Sequence, residues 1–181
     1  MSRTGLAPEV CRAARVVANA VRRGGKLLLF GNGGSATDAQ HFAAELIGRL
    51  SSRRPERCAL PAVALTADSA VLTAVGNDYG FDAIFERQIE GVAAPPDVAM
   101  AISTSGRSPN VVRGAIAAKK RGCQVIGLTV EKGEPLVGHV DICLAAPALD
   151  ARYVQTVHLY VGHTLCLLVE MMLHADAAAS R

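Results

Sequence analysis

The chain has 181 residues, of which half are hydrophobic and only 4% are aromatic, and its mean hydropathy is +0.26. Such a chain has ample apolar surface to bury, which excludes a disordered protein, and its length suits one domain. A net charge of +3 without a broad basic stripe disfavours a nucleic-acid surface. The most apolar stretch, residues 164–173, is shorter than the roughly 20 residues that a membrane span needs.

Short apolar strands alternate with helices along the chain. Strands that are apolar throughout are typical of a parallel sheet covered on both faces. We therefore predict a single α/β domain over residues 1–181, with an N-terminal helix, an αβ core over 26–145 and a C-terminal helix. In chain order, the predicted elements are a helix over 8–23, a strand over 26–30, a helix over 36–50, a strand over 61–65, helices over 69–75 and 82–92 around a turn at 77–80, a strand over 97–102, a helix over 111–121, strands over 124–128 and 141–144, and a helix over 151–174.

The cysteines favour a reducing compartment. They are odd in number and scattered without C-x-x-C spacing, so we expect free thiols packed as small hydrophobic groups. The chain begins Met-Ser-Arg without an apolar leader segment, so the predicted location is the cytoplasm. The five residues are Cys11, Cys58, Cys123, Cys143 and Cys166.

A small basic cluster follows the second predicted helix. It consists of Arg49, Arg53, Arg54 and Arg57. Nucleic-acid surfaces usually add a larger basic stripe and stacking aromatic residues. We interpret the cluster as a solvated helix end or loop.

A glycine-rich loop, GNGGS over residues 31–35, joins the first strand to the second helix. Glycines let backbone N–H groups approach an anion, and the helix N-terminus adds positive potential, so the loop favours a phosphate. We predict Ser35 as the N-cap, with Asp38 as its capping-box partner. A dinucleotide is disfavoured because its acidic partner should come about 20 residues on, whereas Asp68 comes later. A tight turn without a ligand is the alternative.

A second polar loop, residues 103–108, follows the strand at 97–102. Its four hydroxyl groups suit phosphate oxygens as hydrogen-bond acceptors. Ser108 precedes Pro109, a pattern typical of an N-cap followed by Pro at the first helical position. The alternative is that the hydroxyls only satisfy the loop and the cap. The absence of a Walker lysine pattern disfavours ATP. The hydroxyl residues are Ser103, Thr104, Ser105 and Ser108.

Two helices carry residues suited to proton transfer or metal binding. His41 and Glu45 are four residues apart, which places them on one face of the helix that leaves the glycine-rich loop. The last helix carries Gln155, His158 and His163. We expect His158 to be a core histidine, and a simple surface pair is the alternative for His41 and Glu45.

Four motifs, in order, extend these observations over residues 10–173. They are GNGGSATDAQHFAAEL (31–46), AVGNDYGF (74–81), AISTSGRSPNV (101–111) and VQTVHLYVGH (154–163). With them the chain resembles the phosphoheptose isomerase family of the sugar isomerase (SIS) fold. The resemblance implies a three-layer αβα sandwich with a five-stranded parallel, flavodoxin-like sheet and packing helices at both termini. It also implies a cytoplasmic homotetramer with sites at or near subunit interfaces.

The implied reaction converts D-sedoheptulose 7-phosphate into D-glycero-D-manno-heptose 7-phosphate through an enediol, for heptose biosynthesis. The resemblance assigns catalysis to Glu45 and His163. It assigns a zinc ion to His41, Glu45, Gln155 and His163. It assigns substrate contacts to Asn32, Gly33, Gly34, Glu45, Asn77, Asp78, Ser103, Thr104, Ser105, Ser108 and Gln155.

One implied ligand pair conflicts with helix geometry. Gln155 and His163 are eight residues apart, about 12 Å along an ideal helix, which is far for one ion with bonds of about 2 Å. Either Gln155 lies at an irregular helix start, or one ligand comes from a neighbouring chain.

Two other functions compete with this one. A related SIS protein is a non-enzymatic adaptor of the bacterial replication initiator, and it lacks parts of the acid–base set; the presence of Glu45 and His163 favours the enzyme. Another SIS sugar-phosphate enzyme, such as a pentose-phosphate isomerase or a sugar-acid etherase, is the third reading. Arg107 stands where the family often has Asn, and Arg49, four residues after Glu45, is left without a role.

Overall fold

The chain folds around a five-stranded, all-parallel sheet in the order β2-β1-β3-β4-β5. The structure, a computed structural model, describes residues 5–50, 56–147 and 150–179, with side chains up to residue 174. The strands are β1 (Leu27–Gly31), β2 (Ala62–Ala64), β3 (Val98–Ile102), β4 (Gln124–Val130) and β5 (Ile142–Ala146).

Helices cover both faces of this sheet. One layer contains α1, α2 and α6, and the other contains α4 and α5 with α3 at its edge. The three-layer αβα sandwich expected from the sequence is therefore confirmed. The helices are α1 (Leu6–Arg22), α2 (Gly34–Ile47), α3 (Ser69–Tyr79), α4 (Ile84–Val92), α5 (Pro109–Lys120) and α6 (Ala151–Ala179), with 3-10 turns at Phe81–Ala83 and Leu136–His139.

The strands are apolar throughout because both of their faces are buried. Every residue of β1 and β3 is buried. Successive side chains of a strand point to opposite faces. Leu27 and Leu29 therefore pack beneath α1, α2 and α6, while Leu28 and Phe30 pack beneath α4 and α5.

A glycine lets α2 and α6 approach closely. A Cβ atom at Gly162 of α6 would overlap the ring of Phe42 on α2. Phe42 is itself fully buried in the core, so its ring has no space to move into. This contact lies beside His41 and His163 and sets the distance between the helices that carry them.

Two local predictions are wrong. Ser35 is not the N-cap of α2: the helix begins at Gly34, Gly33 is the N-cap, and Ser35 is buried in the first turn. The turn predicted at 77–80 is helical as far as Tyr79, and α3 ends at Gly80, whose φ of 83° suits a glycine.

Among the described residues, one helix, α6, is long and apolar enough to cross a membrane. It packs against α1 and α2 and buries His158 and Glu170, while Tyr153 and Tyr160 on its outer face are exposed. The five cysteines are all free, as predicted.

Candidate active site

The two polar loops lie side by side at one edge of the sheet. β1 and β3 are neighbours with Gly31 beside Ile102, and the loops 31–35 and 103–108 leave the carboxyl ends of these strands. β1 is followed in sequence by β2 on one side and paired with β3 on the other, so the strand order reverses here. Open α/β sheets bind ligands in the crevice at such a switch point.

A reciprocal amide pair connects the two loops. Asn32 Nδ2 donates to Asn110 Oδ1, and Asn110 Nδ2 donates to Asn32 Oδ1, both at 2.8 Å. Asn110 is buried and its Oδ1 also accepts from the N–H of Val111. Sequence reasoning missed Asn110, although it belongs to the motif at 101–111. The sequence feature that could have revealed it is a polar residue two positions after the predicted N-cap, Ser108.

The hydroxyl loop is held in shape by its own hydrogen bonds. Ser103 Oγ accepts from the N–H of Gly106 at 3.1 Å, and Ser105 Oγ accepts from the N–H of Arg107 at 3.2 Å. A hydroxyl that accepts in this way keeps its O–H free to donate to a ligand. Gly106 has a φ of 68°, and a Cβ there would overlap Gly133, so only glycine fits.

Ser108 occupies the predicted N-cap position of α5, but its hydroxyl makes no capping hydrogen bond. Its Oγ lies 3.4 Å from Ser103 Oγ instead. The Ser103 and Ser108 hydroxyls therefore stand together at the positive end of α5, where an anion is stabilised.

The glycine-rich loop bends into α2 at Gly33, whose φ is 55°. The next residue, Gly34, contacts the side chain of Gln155 on α6: a Cβ at this position would lie 2.9 Å from Gln155 Cδ and overlap its amide nitrogen. Glycine at position 34 thus makes room for Gln155 beside the loop.

His41, Glu45 and His163 come together between α2 and α6. His41 Nε2 lies 2.7 Å from His163 Nε2 and 3.6 Å from Glu45 Oε1. One ligand atom from each residue lies within 4.8 Å of the others. The sequence predicted His41 and Glu45 on one helix face, and the fold adds His163 from the other helix.

These three side chains fit a bound cation. Two imidazoles and one carboxylate are a donor set that zinc prefers. Glu45 Oε2 is buried and has no hydrogen-bond partner among the described residues, and a buried polar atom usually has one. The three residues therefore form a candidate metal site.

Asp38 lies one turn before His41 on α2. Burial raises the pKa of its carboxyl group, while the nearby His41 and His163 imidazoles oppose this rise. Its Oδ2 has no hydrogen-bond partner among the described residues. Asp38 is therefore not the capping-box partner that the sequence predicted for Ser35, but an acidic neighbour of the histidine pair.

The SIS domain family model matches residues 3–130. The phosphoheptose isomerase of Rhodospirillum rubrum is 49% identical over 164 residues, which cover 91% of this chain and 86% of the relative. That of a Roseiflexus species is 47% identical over 170 residues, 94% of this chain and 85% of the relative. The chain belongs to the phosphoheptose isomerase family. The solved phosphoheptose isomerase structure from Neisseria gonorrhoeae has a TM-score of 0.85 at 38% identity, covering 92% of this chain and 87% of that one.

Not all residues implied by the phosphoheptose isomerase resemblance lie in this group. Asn77 and Asp78 lie near the end of α3, where their exposed side chains hydrogen-bond to each other at 2.8 Å. Gln155 contacts the glycine loop, and α6 is a regular helix from Ala151. The irregular helix start is therefore not observed, and Gln155 lies two helical turns from His163.

Two further residues singled out from the sequence have structural explanations. Arg49 pairs with the exposed Glu56 at 3.4 Å, and not with Glu45. Asp68 is the N-cap of α3 and accepts from Val71 N–H at 3.0 Å. Arg53 and Arg54 lie outside the described residues.

Arg57 contradicts the prediction of a solvated basic cluster. Its side chain is only 7% exposed and pairs with the buried Glu170. Sequence reasoning missed both residues, since nothing local indicates a partner so far along the chain.

His158 is a core histidine, as predicted. It is fully buried, and Nε2 donates to the carbonyl oxygen of Thr129 at 3.0 Å. Burial lowers its pKa, and the hydrogen bond to Thr129 opposes the effect. A neutral imidazole fixed in this way belongs to the packing of α6 on β4.

Proposed function

We propose that this chain interconverts D-sedoheptulose 7-phosphate and D-glycero-D-manno-heptose 7-phosphate. The observation that carries the proposal is the meeting of Glu45 and His163 between α2 and α6. An aldose–ketose isomerase needs a base for a carbon-bound proton and a second group for the oxygens. The choice of a heptose phosphate as the substrate follows from membership of the phosphoheptose isomerase family.

The substrate phosphate would bind at the hydroxyl loop. Ser103 and Ser108 already stand 3.4 Å apart at the N-terminus of α5, with Thr104 and Ser105 in the same loop. Charged acceptors make the stronger hydrogen bonds, and the helix dipole adds to them. Asn32, Gly33 and Gly34 border the same crevice and would contact the sugar, as would Gln155 beside them.

Proton transfer would follow from the geometry of the helix pair. Glu45 removes a proton from the carbon next to the carbonyl, and returns it to the former carbonyl carbon. His163 moves a proton between the two oxygens, so that the intermediate is an enediol. Glu45 Oε2 is buried and has no hydrogen-bond partner among the described residues, so no other contact occupies the oxygen that would take the proton.

We also propose zinc as the ion for His41, Glu45 and His163, with Gln155 as a fourth ligand. When bound, zinc would polarise the substrate oxygens as a Lewis acid. Glu45 cannot be a tightly held ligand and a free base at the same moment, so the ion would be held loosely or would stabilise the site rather than take part in catalysis. Because Gln155 lies two turns from His163, it would complete the site from a neighbouring chain.

A cytoplasmic homotetramer, each chain a single domain, is part of the proposal. All three tyrosines are more than half exposed, and two of them, Tyr153 and Tyr160, lie on α6 beside the site. Exposed aromatic side chains are enriched at protein interfaces. Asn77 and Asp78, exposed at the end of α3, would then reach a site across an interface. The apolar excess of the sequence would serve this interface as well as the core.

The experiment is a panel of ketose phosphates offered to the purified protein, with the aldose product followed by NMR, since isomerisation does not change mass. We expect turnover of sedoheptulose 7-phosphate in preference to pentose and hexose phosphates. Preferred turnover of a pentose phosphate would support another SIS isomerase. Absence of any turnover, together with capture of the replication initiator in a pull-down, would support the adaptor.

A further inference from the structure

Arg57, in the segment that follows α2, holds the last turn of the helix that carries Glu45. Its Nη2 donates to the carbonyl oxygen of Glu45 itself at 2.8 Å. Its Nη1 donates to the carbonyl oxygens of Leu46 at 2.8 Å and Cys58 at 3.0 Å. The last carbonyls of a helix lack intrahelical partners, and a cation there is favoured by the helix dipole.

The same guanidinium reaches α6. Arg57 Nε lies 2.9 Å from Glu170 Oε2, and the Glu170 side chain is only 2% exposed. Glu170 is seven residues after His163, which is two turns along one face of the helix. One side chain thus joins the backbone of Glu45 to the helix that carries His163.

Stability alone does not account for a buried ion pair of this kind. Desolvation of two charges offsets much of their attraction, and apolar replacements of similar volume are often neutral or stabilising. What such a pair does supply is a fixed geometry, because a guanidinium donates in a rigid plane. Catalysis is sensitive to geometry: a misplacement of about 1 Å can cost about 100-fold in rate.

We propose that Arg57 and Glu170 are positioning residues, which hold Glu45 at its working distance from His163. The proposal rests on the proposed isomerase function. Neither residue belongs to the hydroxyl loop or to the glycine-rich loop. Loss of the pair should therefore affect kcat much more than KM.

The test separates positioning from stability with a double variant, Arg57→Met/Glu170→Leu, which replaces the pair by apolar side chains. The matched control is Asp97→Asn, which breaks another buried ion pair, that of Lys26 and Asp97, just before β1 and β3. For each protein we would measure the midpoint of denaturant unfolding, kcat and KM. We expect the double variant to fold but to unfold at a lower denaturant midpoint, because the carbonyls that Arg57 served lose their donor, with kcat lowered at least about tenfold and KM within about twofold.

Wild-type kcat in a folded double variant would overturn the proposal. If the double variant does not fold, Glu170→Gln decides the question, because it keeps the side-chain shape and removes only the charge. A folded Glu170→Gln protein should again lose kcat about tenfold at unchanged KM, and Glu170→Asp should recover part of the loss. Equal kcat for Glu170→Gln and wild type would overturn the proposal.

A readout without substrate keeps this proposal separate from the isomerase function. The measurement is ¹⁵N NMR of chelator-treated protein, with the imidazole signals of the five histidines assigned by single His→Gln variants. We expect Glu170→Gln to shift the signals of His41 and His163 and to leave that of His139 in place. If the wild-type protein fails to turn over sedoheptulose 7-phosphate, the isomerase proposal fails. Unshifted His41 and His163 signals in Glu170→Gln would overturn the positioning proposal, whatever the result of the turnover assay.

Discussion

The Nε2 atoms of His41 and His163 lie 2.7 Å apart, although 122 residues separate them in the sequence. Their helices meet there because Gly162 leaves space for the ring of Phe42. The distance between α2 and α6 thus determines whether the two imidazoles and Glu45 form one group.

Gly162→Ala tests this relationship. The added Cβ would overlap the buried Phe42 ring, so we expect the free energy of unfolding to fall by about 1–3 kcal/mol and turnover to fall with it. Denaturant unfolding and an isomerase assay measure the two effects. Gly91→Ala in α4 is the matched control: its Cβ meets nothing within 4 Å, so it should stabilise by about 0.5–1 kcal/mol at unchanged turnover. If Gly162→Ala and Gly91→Ala had the same stability and the same turnover, the close approach of α2 and α6 would not be needed.

Gly34→Ala is expected to act on Gln155 rather than on stability. The added Cβ overlaps the end of a flexible, half-buried side chain, which can rotate away. We expect unfolding within about 0.5 kcal/mol of wild type but lower turnover, because Gln155 leaves the glycine loop. Gln155→Ala should reproduce the loss, and the double variant should lose no more than either single one. Additive losses in a double-mutant cycle would contradict this account.

Ser108→Ala should weaken substrate binding without weakening α5. The Ser108 hydroxyl makes no capping bond, so unfolding should stay within about 0.5 kcal/mol of wild type. Loss of a hydrogen bond to a charged phosphate, about 1.5–3 kcal/mol, should raise KM about 10- to 100-fold. Steady-state kinetics measures this, with Ser69→Ala, at the exposed start of α3, as control. A helix-stability loss at unchanged KM would mean that Ser108 serves only the cap.

His158 should make folding sensitive to acid. Burial lowers its folded-state pKa below the ordinary value of 6.5, so below that pH the unfolded chain binds the extra proton. Stability from this source is complete above pH 6.5 and falls as the pH drops below it, with a limiting slope of about 1.4 kcal/mol per pH unit. His158→Gln, which keeps a donor for the Thr129 carbonyl, should flatten this slope in unfolding experiments. His139→Gln should not, and an unchanged slope in His158→Gln would refute the assignment.

The sequence predicts the strands well because each is a short apolar run between polar loops, as at β1 and β3. It also predicts the pairing of His41 with Glu45, since four residues make one helical turn. The prediction fails where a residue far along the chain determines the local structure. Arg57 is predicted to be solvated because its partner Glu170 lies 113 residues away in the sequence. Ser35 reads as an N-cap because its side chain suits that role, but Gly33 takes the positive φ that starts the helix.

The most direct test of the account is the turnover of sedoheptulose 7-phosphate by Glu45→Gln and His163→Gln, followed by NMR beside wild type and the exposed control Glu56→Gln. Loss of a general acid or base typically costs about 10²- to 10⁴-fold in rate, so we expect both site variants to lose at least 100-fold in kcat and Glu56→Gln to lose nothing. Turnover near the wild-type rate by a folded Glu45→Gln protein would contradict the central claim that Glu45 is the base.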